Sequence, residues 1–117
     1  MKPLTERQIQ IQCVSWFRLR YPEASRVFFS TPNAGQRNVW TGKNMRDEGM
    51  LAGAADLILL VPRHGFASLC IEMKKIGGRQ SDKQKDFEEA CKLFKNKYVI
   101  CYSFDEFKAV IEDYLEK

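Results

Sequence analysis

Hydrophobic positions recur at two periods along this chain, and the switches between them mark out its elements. Over residues 6–20 the apolar positions Ile9, Cys13/Val14 and Trp16/Phe17, with Gln10, fall on one helical stripe. Thr5 and Gln8 form a capping box at its head, Leu4 and Ile9 a hydrophobic staple, and Tyr21-Pro22 ends it. Residues 26–30 are rich in β-formers and predict a short strand. A turn-rich loop follows at residues 31–35, residues 36–43 give no clear element, and residues 44–51 predict a short helix stopped near Gly53. Residues 55–61 are almost wholly apolar, as in a strand covered on both faces. A hairpin loop centred on His64-Gly65 leads into a returning strand over residues 67–75. Ser81 and Gln84 make a second capping box, opening a helix to about residue 96 whose core face is Phe87, Ala90/Cys91 and Phe94. Residues 97–102 read as a strand. A helix precedes it, so it is expected to lie parallel to the strand before by a right-handed crossover. Ser103 and Glu106 make a third box, heading a helix that buries Phe107, Val110, Ile111 and Leu115. This order predicts an α/β fold, a small mixed β-sheet flanked by helices.

The chain has 117 residues, which predicts one domain over residues 1–117. Its hydrophobic fraction is 44%, typical of a folded protein rather than a disordered one. No apolar run approaches the roughly 18 residues needed to span a bilayer, and the first residues lack a signal-peptide core. An intracellular protein without membrane attachment is expected. Cys13, Cys70, Cys91 and Cys101 are scattered through apolar stretches and His64 is the only histidine, so buried free thiols are expected rather than a zinc site. The net charge of +4 names no partner by itself. The cations are clustered, however. Lys74, Lys75, Arg79, Lys83 and Lys85 form one group and Arg37, Lys43 and Arg46 another, on either side of two acids.

Those acids are Asp56, at the mouth of the apolar strand, and Glu72, which stands two residues before Lys74 in the next strand. Residues two apart on a strand share a face, so Glu72 and Lys74 project together while Ile71 and Met73 point into apolar packing. With the hairpin centred on His64-Gly65, Asp56 lies opposite the end that carries Glu72 and Lys74. Neighbouring buried carboxylates repel, and a divalent cation relieves the repulsion. Carboxylate and water ligands suit Mg²⁺ or Mn²⁺, and the Met73 carbonyl between the two side chains is a further candidate ligand. A nearby ammonium can hold an attacking water, which gives Lys74 a catalytic role. Glu-x-Lys alone arises by chance on the order of once in a few hundred residues; its strand phase and the preceding aspartate make it informative. Other positions have ordinary explanations beside the functional one. Glu6 heads the inward stripe but is also a favourable acid at a helix start, Gln84 is a capping partner, and Asn33 is a common turn residue. Trp40 can stack on a base or pack at a subunit interface.

Together these features resemble the PD-(D/E)xK nuclease superfamily and, within it, a stand-alone, phage-type member of the VRR-NUC family. Glu6 with Gln10 resembles the family's opening acid and glutamine, and Pro32-Asn33-Ala34-Gly35 with Arg37 its polar loop. Residues 48–57 resemble its glycine-flanked PD motif, Ile71-Glu72-Met73-Lys74 its (D/E)xK motif, and residues 78–84 the following loop and helix start with Gln84. Ala55 departs from the family's usual proline, so a looser strand entry is expected there. The resemblance implies a restriction-endonuclease-like core and Mg²⁺- or Mn²⁺-dependent cleavage of DNA. Asp56, Glu72, Lys74 and Gln84 would be catalytic, and Glu6, Asp56, Glu72 and the Met73 carbonyl would hold metal. Asn33, Arg37, Lys43, Arg46, Lys75, Arg79 and Lys83 would contact DNA. It further implies a homodimer resolving Holliday junctions or other branched DNA, without an organic cofactor, in the host cytoplasm if the source is viral. A nuclease for flaps, ends or single strands, and a nucleic-acid-binding module without catalysis, remain the competing readings.

Overall fold

The computed structural model describes residues 2–31, 44 and 46–117. A four-stranded sheet runs in the order β1 (Phe28–Ser30), β2 (Leu57–Leu59), β3 (Ser68–Met73), β4 (Asn96–Cys101). β1–β2 and β2–β3 are antiparallel and β3–β4 parallel, the last as expected for strands joined through a helix. The hairpin between β2 and β3 turns at His64-Gly65, both with positive φ, as the predicted centring requires.

The N-terminal helix (Glu6–Arg20) and the C-terminal helix (Phe104–Glu116) cover one face of the sheet. Phe17 stacks on Phe28 at 4.1 Å, and Cys13, Leu57, Leu59, Leu69, Ile71, Met73, Cys101, Phe107 and Ile111 complete this core. The linking helix (Asp82–Leu93) covers the other face, where Cys91 packs with Ala55 and Cys70, flanked by Ile58, Phe87 and Tyr98. β3 is therefore buried along its whole length, as residues covered on both faces must be. The four cysteines are free and buried, as expected.

Several boundaries moved. Residues 24–27 form a 3-10 turn, and β1 begins only at Phe28. The Ser25 hydroxyl donates to the Pro22 carbonyl (2.8 Å), a local bond that competes with strand pairing. β2 spans three residues rather than seven, since the chain at Ala55-Asp56 bonds to Thr31 and Pro62 has no N–H to give the ladder. The linking helix stops at Leu93: Lys95 turns left-handed and Asn96 enters β4, its side chain taking the Ser68 hydroxyl proton at 2.6 Å. Phe94 consequently leaves the expected core face and is 69% exposed, and Ala90 is exposed as well. The third capping box is incomplete. The Glu106 amide bonds the Ser103 hydroxyl, but the Glu106 carboxylate accepts from the Tyr102 amide instead of from Ser103. Around Asn44, Arg46 and Asp47 the chain is helical, and Gly49 at φ 110° ends this segment before the expected Leu51. Tyr114, one heptad beyond Phe107, proves a core residue whose hydroxyl donates to the Val61 carbonyl at 2.6 Å.

Candidate metal centre at the end of the central strands

Asp56 is the residue just before β2, and continuing the Leu57–Ile71 register places it opposite Glu72. Its Oδ2 accepts the Met73 amide proton at 2.7 Å, so the carboxylate caps the strand end that the ladder leaves open. The approach to this position is pinned from β1. The Thr31 amide donates to the Asp56 carbonyl (2.9 Å) and the Thr31 hydroxyl to the Ala55 carbonyl (2.7 Å). Ala55 is fully buried. The looser entry expected of alanine in place of proline is thus not what the chain adopts, because hydrogen bonds fix the backbone that a ring would have fixed through φ.

Glu72 is 2% exposed on the face covered by the linking helix. Its Oε2 accepts from Gln84 Nε2 at 2.8 Å and lies 3.9 Å from Lys74 Nζ. Its Oε1 is buried with no donor among the described residues. Burial raises the Glu72 carboxyl to about 8, and the adjacent Asp56 charge adds to the rise; Lys74 opposes it. Burial raises Asp56 as well, partly offset by the Met73 amide bond. Two buried acids sharing one site therefore favour holding a proton between them unless a cation replaces it.

The donor chemistry fits a hard divalent ion: an orphaned buried carboxylate oxygen, a second carboxylate and a nearby backbone carbonyl. In an extended strand a residue's N–H and C=O leave by the same edge. The Met73 amide bonds Asp56, whereas the Lys74 amide bonds Cys101 of β4, so the Met73 carbonyl faces the Asp56 side. Glu6 stands at the rim. Its Oε1 accepts the Lys75 amide proton at 3.2 Å, and its charge helps raise both buried acids. Among the described residues no group of three or more His, Cys, Asp or Glu side chains gathers as a metal cluster; the centre is the carboxylate pair. Burial raises the Cys13, Cys91 and Cys101 thiols to about 12, so they offer no thiolate near neutral pH.

Gln84 completes the cap and also reaches the buried acid. Its carbonyl oxygen takes the Ser81 amide proton (2.8 Å) in a complete capping box while its amide nitrogen holds Glu72. What brings this helix start so close is Gly53, a contact that sequence reasoning did not foresee. Gly53 has φ +88°, and a Cβ there would stand 2.4 Å from the carbonyl carbon of Lys83. A second unforeseen group is Gln80, whose amide donates to Glu88 (3.0 Å) and to the Tyr98 hydroxyl (3.3 Å) beside the site.

Arg46, Lys75, Arg79 and Lys83 are exposed. Asn33, Arg37, Trp40 and Lys43 lie outside the described residues. His64, at the far turn of the hairpin, points Nε2 at the Asp113 and Tyr114 carbonyls and takes no part in the site.

The fold, a small mixed sheet with helices on both faces, is similar to that of a solved VRR_NUC domain protein, which superposes with a TM-score of 0.85 at 22% identity, over 99% of this chain and 92% of that chain. No protein-family model matches the sequence, and no curated protein matches it.

Proposed function

We propose that this chain is a VRR-NUC nuclease that hydrolyses phosphodiester bonds in DNA with Mg²⁺ or Mn²⁺. The observation that supports this most is the buried Glu72, with one oxygen left without a donor among the described residues, beside Asp56 and Lys74. A module that only bound nucleic acid would gain nothing from acids facing phosphate. Asp56, Glu72 and the Met73 carbonyl would hold the ion, which when bound supplies an activated water and absorbs charge on the phosphate. Lys74, with a side chain only 13% exposed, holds the attacking water and places a positive charge beside the reacting phosphate. Gln84 fixes the orientation of Glu72. Glu6, through the Lys75 amide, fixes the chain just after Lys74. Lys75, Arg79, Lys83 and Arg46, with Arg37 and Lys43, contact the DNA backbone by charge, and Asn33 by hydrogen bonding.

Branched DNA, including four-way junctions, is the proposed substrate, cut by a homodimer whose two-fold symmetry suits paired incisions. The test is a panel of four-way junctions, flaps, single strands and duplex with Mg²⁺, Mn²⁺ or EDTA, alongside Asp56→Ala and Lys74→Ala. Metal-dependent cleavage lost in both variants is expected. Cleavage that survives EDTA or either substitution refutes the mechanism, and a monomer cutting only flaps or ends refutes the junction assignment. Tight, salt-sensitive binding without cleavage under any metal identifies a binding module instead.

A further inference from the structure

Directly after Lys74 the chain makes a tight turn that presents Ile76 to solvent. Ile76 is 86% exposed and belongs to neither core. The turn itself is braced. The Gly78 amide donates to the Lys75 carbonyl at 2.9 Å, and Gly77 has φ +89°, the geometry that a type II turn demands at its third position. A Cβ at Gly78 would stand 3.0 Å from the Lys75 carbonyl oxygen, so the turn closes tightly. Its entry is tied at two points. The Lys74 amide bonds the Cys101 carbonyl of β4 (3.0 Å), and the Lys75 amide bonds Glu6 of the N-terminal helix (3.2 Å). Little conformational freedom remains to be lost when Ile76 is inserted into a partner.

The surroundings select the partner. From Lys74 to Arg79 the sequence is Lys-Lys-Ile-Gly-Gly-Arg, with no acid. Lys75 and Arg79, within three positions of Ile76 in the chain, are exposed, and Ile76 stands with Lys75 at the rim of a cleft that also includes Leu4, Phe104 and Asp105. Protein interfaces deplete lysine around their apolar centres, whereas an apolar tip between cations matches a base step between phosphates. Two residues of extended chain span at most about 7 Å between Cα atoms, which keeps the backbone of Ile76 next to that of Lys74.

We propose that Ile76 is a wedge that enters the base stack of bound DNA next to the phosphate at the Asp56–Glu72–Lys74 site. It thereby selects DNA whose stack is already interrupted, at a branch point or at a boundary between paired and unpaired strands. Continuous duplex resists it, because unstacking a paired step costs free energy that an interrupted stack has already lost. This assignment rests on the reading of the site as one that takes DNA.

The test reads base stacking separately from cleavage. Four-way junctions and continuous duplexes carry 2-aminopurine at the branch point or the matching position, and are titrated in EDTA with the full chain and with Ile76→Ala and Ile76→Leu. Wild type is expected to raise the fluorescence at the branch and to favour the junction over duplex. Ile76→Ala is expected to abolish the rise and cut that preference by about tenfold, the loss of one inserted apolar side chain, while Ile76→Leu keeps both. Urea unfolding of Ile76→Ala should match wild type, since the side chain packs against neither core. A fluorescence rise and junction preference that survive Ile76→Ala overturn the proposal, as does a wild type that binds junctions without any rise. A wild-type dimer that Ile76→Ala turns into monomer, with DNA response intact, assigns Ile76 to a protein contact and also overturns it. Cleavage is scored separately with Mg²⁺ or Mn²⁺. A protein that unstacks the branch but never cuts removes the nuclease reading and leaves the wedge standing.

Discussion

Replacing Glu72 by glutamine should make the metal-free protein more stable at alkaline pH. The Glu72 carboxyl is held at about 8 in the folded chain against an ordinary 4.5. A carboxyl raised on folding contributes stability that is complete below its unfolded value and is lost as pH climbs through the folded one. Between about pH 4.5 and 8, then, wild type in EDTA should lose stability steadily and level off above that. Every tenfold change in proton affinity corresponds to ~1.36 kcal/mol, so the rise from 4.5 to about 8 bounds the loss at about 5 kcal/mol. Relaxation and proton sharing with Asp56 should reduce it to ~2–3 kcal/mol, or roughly 8–15 °C in Tm for a chain of this size. Glutamine is neutral throughout and its side-chain oxygen can still accept from Gln84, so the variant's profile should be nearly flat over this range apart from smaller contributions. The assay is thermal or urea unfolding of both proteins in EDTA across that range, repeated with Mn²⁺. Wild type should regain stability with the ion at pH 8, by mass action on the folded state, and the variant should regain little. Parallel pH profiles for the two proteins in EDTA would refute the idea that a buried, strained carboxylate sits at this position.

Three further outcomes follow from single contacts. Gly53→Ala combines a positive φ with a clash against the Lys83 backbone, and should destabilise by at least ~2 kcal/mol in urea unfolding while lowering cleavage. Thr31→Val keeps the shape and the amide bond but removes the hydroxyl bond to Ala55; it should cost ~1 kcal/mol and reduce turnover more than DNA affinity. Tyr114→Phe loses the bond to the Val61 carbonyl on the face away from the carboxylates; a cost of ~1 kcal/mol with cleavage unchanged is expected, and a fall in cleavage would contradict the separation of the two faces.

Periodicity and capping signals located the helices well because they are local. Thr5/Gln8 and Ser81/Gln84 each form the reciprocal bonds that their spacing predicts. The hairpin turn at His64-Gly65 was legible for the same reason, but the register to one residue was not: the turn pairs Arg63 with Phe66, while the β2–β3 ladder is shifted by one residue and sets Asp56 against Glu72 rather than Met73. Strand ends were not legible. β2 stops where Thr31, 24 positions before Ala55 in the chain, takes over the backbone bonds of residues 55 and 56. Gly53 against Lys83 was equally hidden, because a close approach between distant segments leaves only a glycine as its trace. Phe94 was misplaced for a third reason: the helical period carried on in the sequence after the backbone had turned at Lys95 toward β4. Glu72, Lys74 and Gln84 each stood out as candidates in the sequence, but their contacts and the orphaned Glu72 oxygen needed the packed structure to appear.

Gln84 carries one more consequence. A single amide side chain closes the first turn of the linking helix and steadies Glu72, so fraying of that turn and the charge on the carboxylate are thermodynamically linked. Whatever settles the carboxylate also settles the helix start, and by reciprocity anything that loosens the helix start weakens the site. The amide protons of the first turn, which ordinarily exchange among the fastest in a helix, become a gauge of site occupancy, readable by hydrogen exchange without any substrate.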